Sequence, residues 1–472
     1  MMEHSNVIKV LMMNNPWLSG KKQNIFDQYP HARFQLETLM KTLETKHRRF
    51  AIVTGMRRVG KTTLLKQGIQ RLLEGGTPAH QVFYLPCDHP LLESGQIPDF
   101  IEVIEAHFAP SGTWYLFLDE VHLTSQWNVW LKVIHDQNPS IRITATGSAN
   151  PALVQGMKDS GLGRWREINL PTMSFAEYCR MKDMKHMKPP EMPPFPDEGS
   201  TITDTEVWQM VEHTKTLQPL LAQYVSEGGF PERNGAEDLE DMNQLLYNDL
   251  FIIMLRRDLI RYLDIRKLDA FTRLFRYMIE QTGQIVNITN LAKEMGDISK
   301  DTVSEYLDHF CSFGLLHKAE MLDKGGSKIL KTQSKYHIAD PALFSIFHPG
   351  SLMETSKAGS LVESVVYKHI ADRYGTKAED MGYFRDKSNR NREIDIAWKL
   401  QERMHFLEVK YQSNAKPRES DALMHLARQY PRERYYFITK DNSSAGIHKE
   451  VEANILTLPL HTFLYWVSAA KN

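Results

Sequence analysis

The sequence predicts an α/β protein: a parallel-sheet core first, a helical middle next, and a second α/β region towards the carboxyl end. Three observations predict it. Over the first third of the chain short apolar runs alternate with helix-like stretches, the pattern of a parallel sheet covered by helices. A glycine-rich segment, Gly55-Met56-Arg57-Arg58-Val59-Gly60-Lys61-Thr62, separates one such run from one such helix. Near the other end, runs of alternating polarity carry paired acidic and basic residues. A chain of 472 residues has room for roughly three domains.

In order along the chain, Phe50 to Thr54 reads as a buried strand and Thr62 to Leu73 as a helix. Strand, glycine-rich loop and helix are the setting in which G-x-x-x-x-G-K-[ST] becomes a phosphate-binding loop. Gly55 and Gly60 let the backbone curl so that N–H groups face a phosphate, and the helix start adds its positive dipole end. Lys61 supplies a charge for the β- and γ-phosphates, and Thr62 a hydroxyl for Mg²⁺. The run Trp114 to Leu118 ends in Asp119-Glu120. Asp119 is the expected metal-shell residue and Glu120 the expected base that polarises the attacking water. Further strands are expected at 81–86 and 141–146, with a helix around 127–134. Ser148 or Asn150, just past the last strand, is placed to sense the γ-phosphate. ATP and Mg²⁺ are therefore the expected cofactors, with Gly55, Arg58, Gly60, Lys61, Thr62, Thr63 and Ser148 as nucleotide contacts.

The middle is less regular. Residues 181–205 are rich in Met, Lys, Pro and Asp and read as a linker or exposed loop. Amphipathic helices are expected over 206–284, broken at Gly228-Gly229-Phe230-Pro231. Residues 285–350 read as a winged helix: a helix from Asn287 to Met295, a turn at Gly296-Asp297, a second helix from Ser299 to Phe310, and a wing strand from Gly314 to Glu320. The face that would enter a DNA groove carries Lys300, Asp301, Ser304, Glu305 and Asp308. Phosphate attraction needs the opposite sign, so a structural or partner-binding role is expected ahead of DNA contact.

Residues 355–472 hold a second chemical constellation. Leu361 to Tyr367 reads as a helix bearing Glu363. Gly382–Arg385 and Arg392–Trp398 read as a hairpin with a basic turn at Lys387, Arg390 and Arg392. Met404 to Lys410 is a third strand, followed by a helix around 420–430 and a strand at 434–438. Period 2 puts Glu408 and Lys410 on one face, with Asp395 on the neighbouring strand. Asp395 and Glu408 are expected metal ligands. With Glu363 and Lys410 they form a toolkit for phosphodiester hydrolysis.

The composition narrows the class. A 42% hydrophobic and 24% charged chain is ordinary for a water-soluble globular protein, with no apolar run of the ~18 residues a membrane span needs. The first residues lack the pattern of a signal peptide. Three widely spaced cysteines argue against a disulfide framework or zinc site, so a cytoplasmic protein is expected. A net charge of −1 disfavours non-specific coating of nucleic acid.

The order Asp395, Glu408-Val409-Lys410, with Glu363 on the leading helix, resembles the PD-(D/E)XK nuclease-like fold. The whole chain resembles a bacterial and archaeal family of AAA-type ATPases that pair a P-loop domain and a winged helix with a C-terminal domain long labelled of unknown function. The segments that carry the likeness include Gly55–Thr63, Leu116–Glu120, Thr146-Gly147-Ser148, Gly228–Pro231, Arg257-Asp258, Tyr336–Pro341 and Glu393-Ile394-Asp395. The resemblance implies a P-loop AAA-type ATPase core over 1–180, a helical and winged-helix middle, and a restriction-endonuclease-like α/β domain. It also implies a γ-phosphate contact for Arg164, which lies where the family has an arginine. Some members have lost parts of the nuclease signature; this chain keeps Glu363, Asp395, Glu408 and Lys410. The expected function is an ATP-hydrolysing ATPase coupled to a metal-dependent nuclease-like domain acting on DNA. The alternative is a switch ATPase whose C-terminal domains only bind nucleic acid or a protein partner. Homo-oligomerisation stays open, and no membrane partner is expected.

Overall fold

The computed structural model describes residues 4–21, 24–148, 163–182, 202–234, 238–250, 267–329, 333–348, 350, 352–374, 381–386, 392–400, 402–450 and 452–469. The chain divides into two compact units, residues 1–171 and residues 172–260 with 264–472, residues 261–263 being grouped with the first. Of the linker read at 181–205, residues 183–201 lie outside the described residues, as does the Arg257-Asp258 pair, while Met181 ends one helix and Asp204 opens another.

In the first unit, strands β1 (Phe50–Gly55), β2 (Val82–Pro86), β3 (Trp114–Asp119), β4 (Ile141–Ser148) and β5 (Trp165–Asn169) form one sheet in the order β2-β3-β4-β1-β5. Every pairing is parallel. All six residues of β1 are buried, as expected for a central strand covered on both faces. Phe50, Ile52, Phe83, Leu116, Leu118, Ile143 and Ala145 pack into one core with the helices His4–Asn14, Ile97–Phe108 and Trp127–Gln137. Strand order reverses beside β1, so the carboxyl ends of β1, β3 and β4 open onto a common rim, the place where such sheets bind ligands. β5 is an element the sequence pattern misses, because Trp165 and Ile168 are its only buried positions.

In the second unit, the described strands form one sheet in the order β13-β14-β12-β11-β10-β9-β7-β8-β6. These are β6 (Gln284–Val286), β7 (Leu316–Leu322), β8 (Ser334–Ile338), β9 (Met381–Arg385), β10 (Glu393–Leu400), β11 (Arg403–Lys410), β12 (Arg434–Thr439), β13 (Gly446–Glu450) and β14 (Ala453–Pro459). The helix-turn-helix is present as Ile288–Met295 and Lys300–Ser312, each capped by a side chain, Asn287 and Ser299. The sheet is continuous across the boundary read at 350: β7 pairs in parallel with β9, Glu320 opposite Gly382. Gly382 permits the join: a Cβ there would lie 1.8 Å from the Glu320 carbonyl oxygen.

The long helix Ala358–Tyr374 brings Glu363 to this sheet. The last helix, Leu460–Ala469, packs on the helix Phe175–Met181, whose first turn is closed by reciprocal Ser174 and Glu177 bonds. That contact groups the residues after 171 with the second unit. β13, β14 and the last helix are absent from the sequence expectation.

Candidate functional sites

The loop after β1 turns on two glycines for different reasons. Gly55 lets Leu170 approach: Leu170 N–H donates to Thr54 O at 2.8 Å, and a Cβ on Gly55 would sit 2.3 Å from Leu170 O. Gly60 adopts φ +95° and launches the helix Lys61–Glu74. Arg33, buried, donates to Val59 O and Pro171 O at 2.8 Å each, bracing the loop from outside. Lys61 is buried and folds back over the loop, its Nζ donating to Met56 O at 2.9 Å and Gly55 O at 3.1 Å. Arg58 has φ +64°, and Thr63 follows Thr62 on the first turn of the helix.

Asp119, at the end of β3, is the hub. Thr62 Oγ1 donates to its Oδ2 at 2.6 Å. Tyr84 OH donates to the same oxygen at 2.9 Å, and Thr146 Oγ1 donates to Oδ1. The Thr146 hydroxyl also accepts from Glu120 N–H at 2.9 Å. Glu120 has φ +52°, which turns the chain out of the strand, and its carboxylate lies 3.4 Å from His122 Nδ1. Burial pushes the Tyr84 hydroxyl well above its usual range, with Asp119 adding to it, so Tyr84 is a fixed neutral donor. Asp88, after β2, is raised first by burial and then by Asp119 and Glu120.

Thr62 and Asp119 thus bring hard oxygen donors together, the chemistry that suits Mg²⁺, and their neutral hydroxyl partners leave no charge stranded when a cation arrives. Sequence reasoning missed Tyr84, Arg33 and Thr146. Thr146 carried a signal, since it lies two residues before Ser148 on one face of β4. The Ser148 side chain and Asn150 lie outside the described residues.

Arg164 does not join this rim in its own chain. Its carbonyl accepts from Phe50 N–H at 3.0 Å, and Trp165 pairs with Phe50 at the start of β1. It therefore lies at the amino end of the parallel sheet, whereas the loop follows the carboxyl end. There its guanidinium binds Asp136 with Nε–Oδ1 2.9 Å and Nη2–Oδ2 3.0 Å. As a nucleotide contact within one chain, the expectation for Arg164 is corrected by the direction of β5.

In the second unit, β10 pairs with β11 from Leu400 opposite Arg403 to Ile396 opposite Leu407. Its register with β9 shifts between Ile394 and Ala397. Asp395 lies in that irregularity, and its Oδ2 accepts from Val409 N–H at 2.8 Å. Glu408 is buried and pairs through Oε1 with Lys410 Nζ at 2.7 Å. Its other oxygen, Oε2, is buried and has no hydrogen-bond partner among the described residues. Burial pushes the Glu408 carboxyl up, and Lys410 opposes the shift. Lys410 is held above its usual range: burial lowers it, but Glu408 and Asp395 outweigh burial.

Glu363 is pushed up to about 8 by burial, then by the Asp395 carboxylate beside it. It is held by a residue with no sequence signal, Lys335 on β8. Lys335 Nζ lies 3.2 Å from Glu363 Oε1 and 2.6 Å from Glu393 Oε1. Glu393 is also held by Arg385, through Nε at 3.0 Å, and Lys335 and Arg385 together keep its carboxyl low against burial. Asp395 is the neighbour the two halves share: its carboxylate helps to raise Glu363 on one side and Glu408 and Lys410 on the other. An orphaned, buried carboxylate oxygen beside a second carboxylate fits a hard divalent cation. Among the described residues, no three His, Cys, Asp or Glu side chains are grouped to hold one together. Lys387 and Arg390 of the basic turn lie outside the described residues; Arg392 donates to His425 Nε2 at 2.7 Å.

A parallel sheet with a glycine-rich phosphate loop on its rim, facing a strand that ends in Asp-Glu, defines a P-loop ATPase core of the AAA type. Residues 47–179 match the AAA domain family, residues 218–350 a domain of unknown function (DUF8612), and residues 358–461 a second domain of unknown function (DUF4143). The chain is similar to an uncharacterised protein of Haemophilus influenzae, at 25% identity over 80% of this chain and 86% of that one. It is also similar to the uncharacterised protein MJ1544 of Methanocaldococcus jannaschii, at 22% over 88% of each. Among solved structures, a Walker-type ATPase of Pyrococcus abyssi aligns at 17% identity over 66% of this chain and 94% of that chain, with TM-score 0.39. The Orc1 protein of Aeropyrum pernix, solved with DNA, aligns at 12% over 64% and 88%, with TM-score 0.29. Both overlaps are too loose to assign detail.

Proposed function

We propose that this AAA-type ATPase uses ATP binding and hydrolysis to gate a metal-dependent phosphodiester-cleaving site in its carboxyl-terminal unit, acting on DNA. On this reading Lys61 holds the β- and γ-phosphates, with Gly55, Arg58, Gly60 and Thr63 around them. Thr62 and Asp119 hold Mg²⁺, which neutralises phosphate charge. Glu120 orients the attacking water and takes its proton. In the second unit Asp395 and Glu408 hold a divalent cation, which supplies Lewis acidity at the phosphate. Lys410 lies beside the attacking water, and Glu363 shapes the field at Asp395. The observation that supports the nuclease reading most is the buried, unpartnered Glu408 Oε2 next to Asp395 and Lys410.

A second reading, a switch ATPase whose nuclease-like region only binds nucleic acid or a protein, draws support from the Lys335–Glu363 pair, which engages one of the four signature groups. One experiment separates them. Linear and circular DNA, single and double stranded, is incubated with Mg²⁺ or Mn²⁺, with and without ATP. Wild type runs beside Lys61→Ala and Asp395→Ala. Cleavage lost in Asp395→Ala and altered in Lys61→Ala is the expected result. ATP turnover with no cleavage under any condition sinks the nuclease reading and leaves the switch.

A further inference from the structure

We propose that Lys335 is a built-in counter-ion standing where a second cation would otherwise be needed, so that the carboxyl-terminal site takes one divalent cation, on Asp395 and Glu408. This rests on the nuclease-like reading above.

The carboxylates fall into two halves. Asp395 and Glu408 are tied to the chain by single contacts, Asp395 Oδ2 to the Val409 amide and Glu408 Oε1 to Lys410. Glu408 keeps one buried oxygen with no partner. Glu363 and Glu393 instead share the Lys335 ammonium, at 3.2 and 2.6 Å. The Lys335 side chain is only 4% exposed, and its Nζ lies 5.5 Å from the centre of the Tyr383 ring, which adds to its hold.

An ammonium so buried between two carboxylates does not leave readily, because departure strands two buried charges. A cation entering this site therefore meets Asp395 and Glu408 as its available protein ligands.

The test counts Mn²⁺ bound to the full chain without nucleotide, by the paramagnetic resonance signal of free Mn²⁺. The Asp119→Asn change is present throughout, to remove the amino-terminal cation ligand. The expected count is one, lost in a further Asp395→Ala change and kept in Lys335→Arg. Lys335→Met is expected to take a second Mn²⁺, and its melting temperature to rise more on Mn²⁺ addition than that of the protein with Lys335. Two Mn²⁺ with Lys335 present overturns the proposal and leaves the nuclease reading standing; this count decides even if Lys335→Met fails to fold. One Mn²⁺ in both proteins, with equal thermal response, removes the role of Lys335. No Mn²⁺ in any protein overturns the proposal together with the nuclease reading.

Discussion

Asp119, buried, and Glu363, partly buried, are acidic residues at the heart of the two candidate sites, yet they are satisfied in opposite ways. Asp119 takes hydroxyls from Thr62, Tyr84 and Thr146. Glu363 takes an ammonium from Lys335 and sits beside the Asp395 carboxylate. A hydroxyl gives up its place to a cation at the cost of one hydrogen bond to a carboxylate, about 2 kcal/mol. A buried ammonium gives up its place only by stranding a charge, at about 3–5 kcal/mol. On the proposed function the first arrangement suits repeated exchange of nucleotide and cation, and the second, built on a fixed ammonium, suits a single cation.

The comparison breaks most sharply at Lys61. Lys61→Ala should lower the rate of phosphate release from ATP by about two to three orders of magnitude, the scale for losing one preorganised electrostatic contact to a transition state. A residual rate within tenfold of wild type would show that the loop is not the hydrolytic site. The next largest effect is structural. Gly382→Ala places a methyl where the Glu320 carbonyl oxygen stands and should cost about 3 kcal/mol in chemical denaturation. The loss should fall on the unfolding of the second unit, while nucleotide binding by the first persists.

A smaller effect sharpens the electrostatic half of the comparison. The Glu363 carboxyl titrates near pH 8 in the folded chain, against an ordinary value of 4.5. Between those values the folded state holds a proton that the unfolded state has released. Stability from this group thus falls as pH rises from about 4.5 to about 8 and is level above. Melting curves of Glu363→Gln should show a weaker fall over that window than wild type; an unchanged slope would assign the pH dependence to other groups. The smallest effect is expected at Arg164. Its pair with Asp136 is half-exposed, so Arg164→Ala should leave the melting temperature nearly unchanged. ATP turnover of dilute, monomeric protein should also hold. A large loss of turnover that grows with protein concentration would place Arg164 at a neighbouring chain's nucleotide.

Much of the first site was legible because its parts are adjacent in sequence. Gly55, Gly60, Lys61 and Thr62 act through one strand, one loop and one helix start, and each residue type states its own backbone or chemical requirement. The Asp119-Glu120 pair was legible because an apolar strand ends there. On the second site, period 2 gave the Glu408–Lys410 pair, since side chains two apart on a strand share a face. Arg164 shows the limit of a local likeness: its position along the chain says nothing of which end of the sheet it occupies until β5 is paired with β1.

By itself, then, the sequence determined the phosphate loop, the acidic strand ends and the more apolar strands, though not β5, β13 or β14, because backbone conformation and side-chain alternation are set by near neighbours. Only the tertiary structure decided which groups satisfy the buried carboxylates. Tyr84 and Thr146 reach Asp119 from strands 35 and 27 residues away, and Lys335 reaches Glu363 across 28. It also decided that β7 and the carboxyl-terminal strands form one sheet, through the bare Cα of Gly382. Such partners carry no local pattern. They are chosen by the cost of leaving a buried charge or polar group unpaired, and that cost exists only once the chain has closed around it.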